Sequence, residues 1–325
     1  MKKIFILTMS IFVLAKFLLS CAPNQTLNAL AQKEGLLTAI SGGRTSIENQ
    51  QSGSLDKKRF DSIAKHTVLV TIQDKSENVV EISSGVILNE SFIVTSAHLF
   101  EKYKLDGDYS GTIYFGSSGN FSDRAQQKFS KNEFLLPKPD QIDNISNTPN
   151  WSMLPGNKDF VFIRLNQGLP KGFEKIIMIN DNSFFKAGDS YHAAGFGYSE
   201  NDRFDYQLRN VDIILSRSNT KQPSKFKEIS SSLGVEDLNY FLEFSATAAA
   251  TVLHGDSGGP IYYEYTDGNG KIVCYLAGII TAHQEPSLNC KNDPSSCSIA
   301  DYALRVDAFY NDAISVATRI VQGAL

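Results

Sequence analysis

The stretch "LHGDSGGP" (253–260) packs three glycines, an acid, a serine and a proline into eight positions. Glycine and proline both disfavour the interior of helices and strands, so this segment reads as a tight turn. Such a turn either just reverses the chain or shapes the backbone to present the hydroxyl of Ser257. Acyl transfer by a serine needs a base for the hydroxyl proton, an acid that orients that base, and donors for the developing oxyanion. The sequence holds a candidate for each. His98 follows a strand-like run in "IVTSAHLF" (93–100), and Asp159 heads another in "NKDFVFIRL" (157–165).

Outward from these motifs the pattern is that of a β protein. In "HTVLVTIQ" (66–73), Val68, Val70 and Ile72 fall on one face of a strand. Further strands are expected over 79–87, 92–95, 112–115, 160–165, 191–194, 211–215 and 240–244, and "IYYEY", "TDGNG" and "KIVCYLAGII" read as a hairpin. Helical spacing recurs at the C-terminal end, through Val306, Phe309, Ala313, Val316, Ala317 and Ile320. Many short strands with one terminal helix imply an all-β barrel or sandwich. The polar insertion over 128–156, which holds Trp151, is expected to be a surface loop.

The chain has 325 residues, of which 42% are hydrophobic and 20% charged, with a formal net charge of −4. That is an ordinary globular composition, with no basic stripe to suggest nucleic-acid binding. The start is different. "MKKIFILTMSIFVLAKFLLSC" (1–21) has a basic lead and an apolar run over 4–19 broken by Lys16, shorter than the roughly 20 apolar residues of a membrane span. Residues 1–20 therefore read as an export signal. "LLSCA" (18–22) resembles a bacterial lipobox, which implies lipidation of Cys21 and a membrane anchor; a plain signal peptide cut near Ser20 is the alternative. Residues 21–59 read as linker or pro-segment. An exported chain favours disulfides, and Cys290 and Cys297, flanking "KNDPSS", are the natural pair; pairing of Cys274 with either stays open. The five histidines show no ligand spacing near these cysteines, so no metal site is expected.

"TSAHLF", "DFVFIRL" and "GDSGGP" stand in the order of the histidine, aspartate and serine motifs of trypsin-like (chymotrypsin-fold) serine proteases, which this chain resembles from about residue 66 to 320. "SSGVIL", "AAGFGYSE", "LRNVDIILS" and "LAGIITA" echo the family between them. The resemblance implies two six-stranded antiparallel β-barrels over 60–182 and 183–325, with a C-terminal helix and the active site between the barrels. It implies Ser257 as nucleophile, His98 as general base and then acid, and Asp159 as the group that fixes the histidine tautomer. The N–H groups of Gly255 and Ser257 would form the oxyanion hole, and Thr281 would help hold the aspartate. No metal or organic cofactor is implied, and the partner is a protein or peptide substrate.

In the resembled family the acid beside the nucleophile, here Asp256, pairs with an N-terminal amine made when an activating protease removes a pro-segment. "AISGGRTSIENQ" (39–50) resembles the processed start, with Ile40 as the new terminus, although Ala39 stands where a basic residue is usual. Thr251 replaces the aspartate that sets trypsin specificity, and His254 and His283 lie near the substrate path. Asp301 in "ADYALRV" is a candidate for the pocket floor that would restore preference for a basic residue. Leu99 and Leu253 replace two cysteines usual in the family. The rival readings are a catalytically silent binding protein on the same scaffold and an esterase using the same triad.

Overall fold

The structure is a computed structural model; it describes residues 38–39, 54–100, 110–118, 120–135, 159–179, 188–197, 205–217, 241–246, 250–252, 254–283 and 301–323. The strands are β1 (Thr38–Ala39), β2 (Thr67–Gln73), β3 (Val79–Asn89), β4 (Phe92–Thr95), β5 (Ser110–Phe115), β6 (Ala125–Phe129), β7 (Phe134–Leu135) and β8 (Val161–Arg164). They continue as β9 (Ile177–Met178), β10 (Ser190–Gly195), β11 (Arg209–Arg217), β12 (Phe241–Ala246), β13 (Ala250–Thr251), β14 (Pro260–Thr266), β15 (Ile272–His283) and β16 (Asp301–Arg305). Helix α1 (Ser54–Ala64) precedes β2, and α2 (Tyr310–Val321) ends the described chain. Residues 39–325 form one unit, which holds both large sheets.

The first sheet runs β6-β5-β2-β3-β4-β8-β7, antiparallel throughout. Its alternation follows the period-two pattern of β2. Val68, Val70 and Ile72 enter one core with Ile87, Ile93, Ile113 and Ile163, whereas Leu69 faces a second core with Val86, Val94 and Phe162. The sheet curls into a half-barrel, and Phe100, Phe129 and Phe134 meet edge to face between its outer strands, with ring centroids 5.0–6.4 Å apart. The second sheet closes as a six-stranded barrel, β10-β11-β12-β16-β15-β14, the seam being the pairing of His192 with Tyr262 and Ala193 with Ile261. Strand β9 adds in parallel to β15.

Two expectations need correction. Residues 128–135 are not surface loop: they finish β6, make a short 3-10 turn and form β7, because Phe129 and Leu135 are buried. The rest of that insertion, with Trp151, lies outside the described residues. The segment read as linker ends in helix α1. Phe60 and Ile63, one turn apart, are both buried in the larger core, and Arg59 pairs with Glu264 of β14 at 3.0 Å. The helix thus packs the start of the first sheet against the second barrel. Among the described residues no helix is long and apolar enough to cross a membrane.

Candidate active site

Sheet register brings the first two motifs together. Thr95 pairs with Val161 in the antiparallel contact of β4 with β8, so the residues after Thr95 run beside those before Val161. The 3-10 turn Ala97–Phe100 then carries His98 to Asp159. His98 Nδ1 lies 2.9 Å from Asp159 Oδ2 and 3.1 Å from Oδ1, and the His98 backbone N–H donates to Oδ1 at 2.8 Å. The hydroxyl of Thr281, on β15, donates to Asp159 Oδ2. Three donors thus fix one carboxylate, and Nδ1–H donation leaves His98 Nε2 as the acceptor.

The turn of Ser257 comes from the other barrel, between β13 and β14. Its glycines answer definite demands. Gly255 and Gly258 adopt φ of +95° and +80°, which side chains other than glycine rarely take. A Cβ on Gly258 would lie 2.3 Å from the Ser84 carbonyl oxygen and 2.4 Å from Thr95 Oγ1. The turn is tied to both barrels. The Gly258 N–H donates to Ile280 O at 2.7 Å, and the Ser257 carbonyl accepts from the Ser84 N–H at 2.9 Å and the Ser83 hydroxyl at 2.6 Å. Gly258 abuts Thr95 and Ser96, shortly before His98, so serine and histidine reach the same seam. Among the described residues no backbone carbonyl takes the N–H of Gly255 or Ser257.

Asp256 is fully buried beneath the turn. Its Oδ1 accepts the Gly197 N–H at 2.8 Å. A Cβ on Gly195 or Gly197 would lie 2.2 or 2.4 Å from a carboxylate oxygen, which explains the glycines on either side of Phe196. The Arg124 guanidinium lies 5.2 Å from the centroid of the Phe196 ring and donates to the Ser118 and Tyr206 carbonyls. Burial pulls the Arg124 pKa down to about 10, so it remains a cation at neutral pH.

The remaining sequence candidates divide. Asp301 begins β16 at 2% exposure, and its Oδ2 accepts the Val252 N–H at 3.5 Å, just after β13. That brings Asp301 beside the chain that carries Thr251. Register sets the backbone of His283 opposite Asp301. His254 is exposed, and its Nε2 lies 2.6 Å from Oε1 of Glu81 on β3, a partner the motifs did not point to. Cys21, Ile40, Leu253, Cys290 and Cys297 lie outside the described residues. Cys274 is a free, buried thiol; burial pushes its pKa up to about 12, and the Ser62 hydroxyl lies 3.3 Å from its sulfur. Among the described residues no three His, Cys, Asp or Glu side chains cluster as metal ligands. Sequence reading also missed Ser83, Ser84 and Thr95, whose hydroxyls carry no local signal.

A half-barrel and a closed barrel, with His98, Asp159 and the Ser257 turn at their seam, define the serine-protease class of fold. The Trypsin family profile matches residues 59–297, more than half of the sequence, and this chain belongs to that family. Members of the family act as hydrolases on protein or peptide substrates. Complement C1s-1 subcomponent of Mus musculus is 25% identical over 206 residues, which is 61% of this chain and 28% of that protein. The chain thus spans less than a third of that relative. Among solved structures, an inactivated protease paralogue of the scabies mite, S-D1, superposes with a TM-score of 0.52 at 15% identity, covering 82% of this chain and 95% of that one. Neuropsin, a serine protease expressed in the limbic system of mouse brain, gives 0.49 at 15% identity, covering 77% and 93%.

Proposed function

We propose that this chain is a serine endopeptidase that cleaves peptide bonds through an acyl-enzyme on Ser257. The observation that carries the reading is the carboxylate of Asp159, held by His98 and Thr281 at the seam that the Ser257 turn also reaches. His98 Nε2 takes the hydroxyl proton as Oγ attacks the scissile carbonyl carbon. The N–H groups of Gly255 and Ser257 receive the oxyanion, and Asp159 stabilises the imidazolium. The protonated histidine then gives its proton to the leaving amine as the C–N bond breaks. Water, deprotonated by the same histidine, attacks the acyl ester and restores Ser257.

The buried carboxylate of Asp301 beside Val252 supports a preference for lysine or arginine at the cleaved bond, the cation meeting a carboxylate removed from water. Export, release from an anchor at Cys21, a Cys290–Cys297 disulfide and activation by cleavage before Ile40 complete the reading. The full burial of Asp256, next to the nucleophile, supports an activation in which the new amine reaches this carboxylate. The rival reading is a catalytically silent binding protein on the same scaffold. Turnover of a peptide library by full-length and N-terminally processed protein decides between the readings. Cleavage after lysine or arginine that His98→Ala abolishes is expected, whereas no cleavage by either form refutes the peptidase. Faster turnover of esters with no peptide cleavage would favour the esterase.

A further inference from the structure

The nucleophile turn is held from the opposite barrel by hydroxyls that no motif announces. Ser84, on β3 and fully buried, makes three bonds to the second barrel. Its Oγ donates to the Gly255 carbonyl at 2.8 Å and accepts the Phe196 N–H at 2.9 Å, while its backbone N–H donates to the Ser257 carbonyl at 2.9 Å. Next to it, the Ser83 hydroxyl lies 2.6 Å from the same Ser257 carbonyl. A hydroxyl carries a single proton. The Ser83 proton has three acceptors in reach, Ser84 O and Thr95 Oγ1 at 2.9 Å each and Ser257 O at 2.6 Å, and the Ser257 carbonyl is the nearest of them.

We infer that Ser84 is a positioning residue for the oxyanion hole, with Ser83 as its second anchor. This rests on the protease reading above. The carbonyls of residues 255 and 257 are tied to β3, and the N–H groups of the same two residues are the proposed oxyanion donors. Gly255 is where such anchoring matters. At φ of +95° and without a side chain it has the freedom to turn its neighbouring peptides, and the Ser84 hydroxyl fixes its carbonyl. The same hydroxyl, by accepting from Phe196, couples the turn to the Gly195–Gly197 segment that encloses Asp256. Ser84 thus links the oxyanion turn to the wall of the Asp256 pocket from the opposite barrel. It touches no reacting atom, so its effect falls on transition-state stabilisation rather than on substrate affinity.

The test uses Ser84→Ala in the active form of the protein, with a fluorogenic peptide chosen from the library. A peptide boronate, whose tetrahedral adduct puts an oxygen where the oxyanion forms, is the second probe. Loss of a direct oxyanion donor costs about 100-fold to 1,000-fold in kcat, so displacement of one through its neighbour is expected to cost roughly 10-fold to 100-fold. KM should stay unchanged and boronate affinity should fall in step with kcat. Should Ser84→Ala not fold, Ser83→Ala carries the same comparison through the Ser257 carbonyl, and the same pattern is expected. Wild-type kcat and boronate affinity in the folded variant, or a loss confined to KM, overturn the assignment. Wild-type protein that neither turns over peptide nor binds boronate refutes the protease reading itself and this one with it.

Discussion

Alanine at Gly258 is expected to be far more damaging than alanine at another glycine of the same conformation. Gly258 has φ of +80° and Gly270, in the β14–β15 hairpin, has +76°, so both substitutions meet the same backbone penalty, about 1 kcal/mol. At Gly270 nothing lies within 4 Å of the new Cβ. At Gly258 the Cβ would sit 2.3 Å from Ser84 O, 2.4 Å from Thr95 Oγ1 and 2.9 Å from Ser96 N, two of them backbone atoms that cannot swing aside. The turn must retreat from β3 and β4. That strains three bonds: Ser83 and Ser84 to the Ser257 carbonyl, and Gly258 to Ile280. At about 1 kcal/mol each, Gly258→Ala loses about 4 kcal/mol against about 1 for Gly270→Ala. In a domain of this size that is a fall in Tm of roughly 10 °C or more against about 3 °C. Calorimetry of the two variants beside wild type reads the difference. Equal shifts in Tm would refute the tight inter-barrel fit of the turn.

Two further outcomes follow from buried groups. Cys274 is buried with its pKa pushed up to about 12, so Cys274→Ala should leave the number of thiols that react with Ellman's reagent under native conditions unchanged. A drop of one native-reactive thiol would contradict its burial. Burial lowers the pKa of His66 from the ordinary 6.5, while Nδ1 keeps a 2.8 Å contact with the Glu174 carbonyl. The folded state therefore stays neutral where the unfolded chain takes up a proton. This contribution is whole above pH 6.5 and is lost as pH falls through the depressed folded pKa. Urea midpoints should drop more steeply with acid in wild type than in His66→Gln, and equal slopes contradict the assignment.

The candidate site residues were legible because they stand in short contiguous runs. Strand alternation in 66–73 and the glycines around Ser257 each follow from local backbone demands that the residue types disclose. The contacts that brace the turn were not legible. Ser83 and Ser84 meet Ser257 and Gly255 across more than 170 residues, and a serine in a strand has no pattern that says which carbonyl it will reach. Helix α1 was hidden for a related reason. Its buried side is chiefly Phe60 and Ile63 among charged neighbours, too narrow a stripe to signal a helix until the second barrel packs on it. Residues 128–135 read as polar loop because Phe129 stands alone among polar neighbours; it gains its core from Phe100 and Phe134, while Leu135 joins the larger core. No local pattern tells that Asp301 meets the Val252 N–H, which comes from a segment 49 residues away.

The most direct measurement is mass spectrometry of the protein after treatment with a fluorophosphonate, which reacts with a serine only where a base and an oxyanion hole activate it. Full-length and N-terminally processed forms are treated alike and digested. The expected result is one phosphonyl adduct on the peptide that carries Ser257, absent in both His98→Ala and Ser257→Ala. No adduct on Ser257 in either form of the wild-type protein would contradict the catalytic reading of the site.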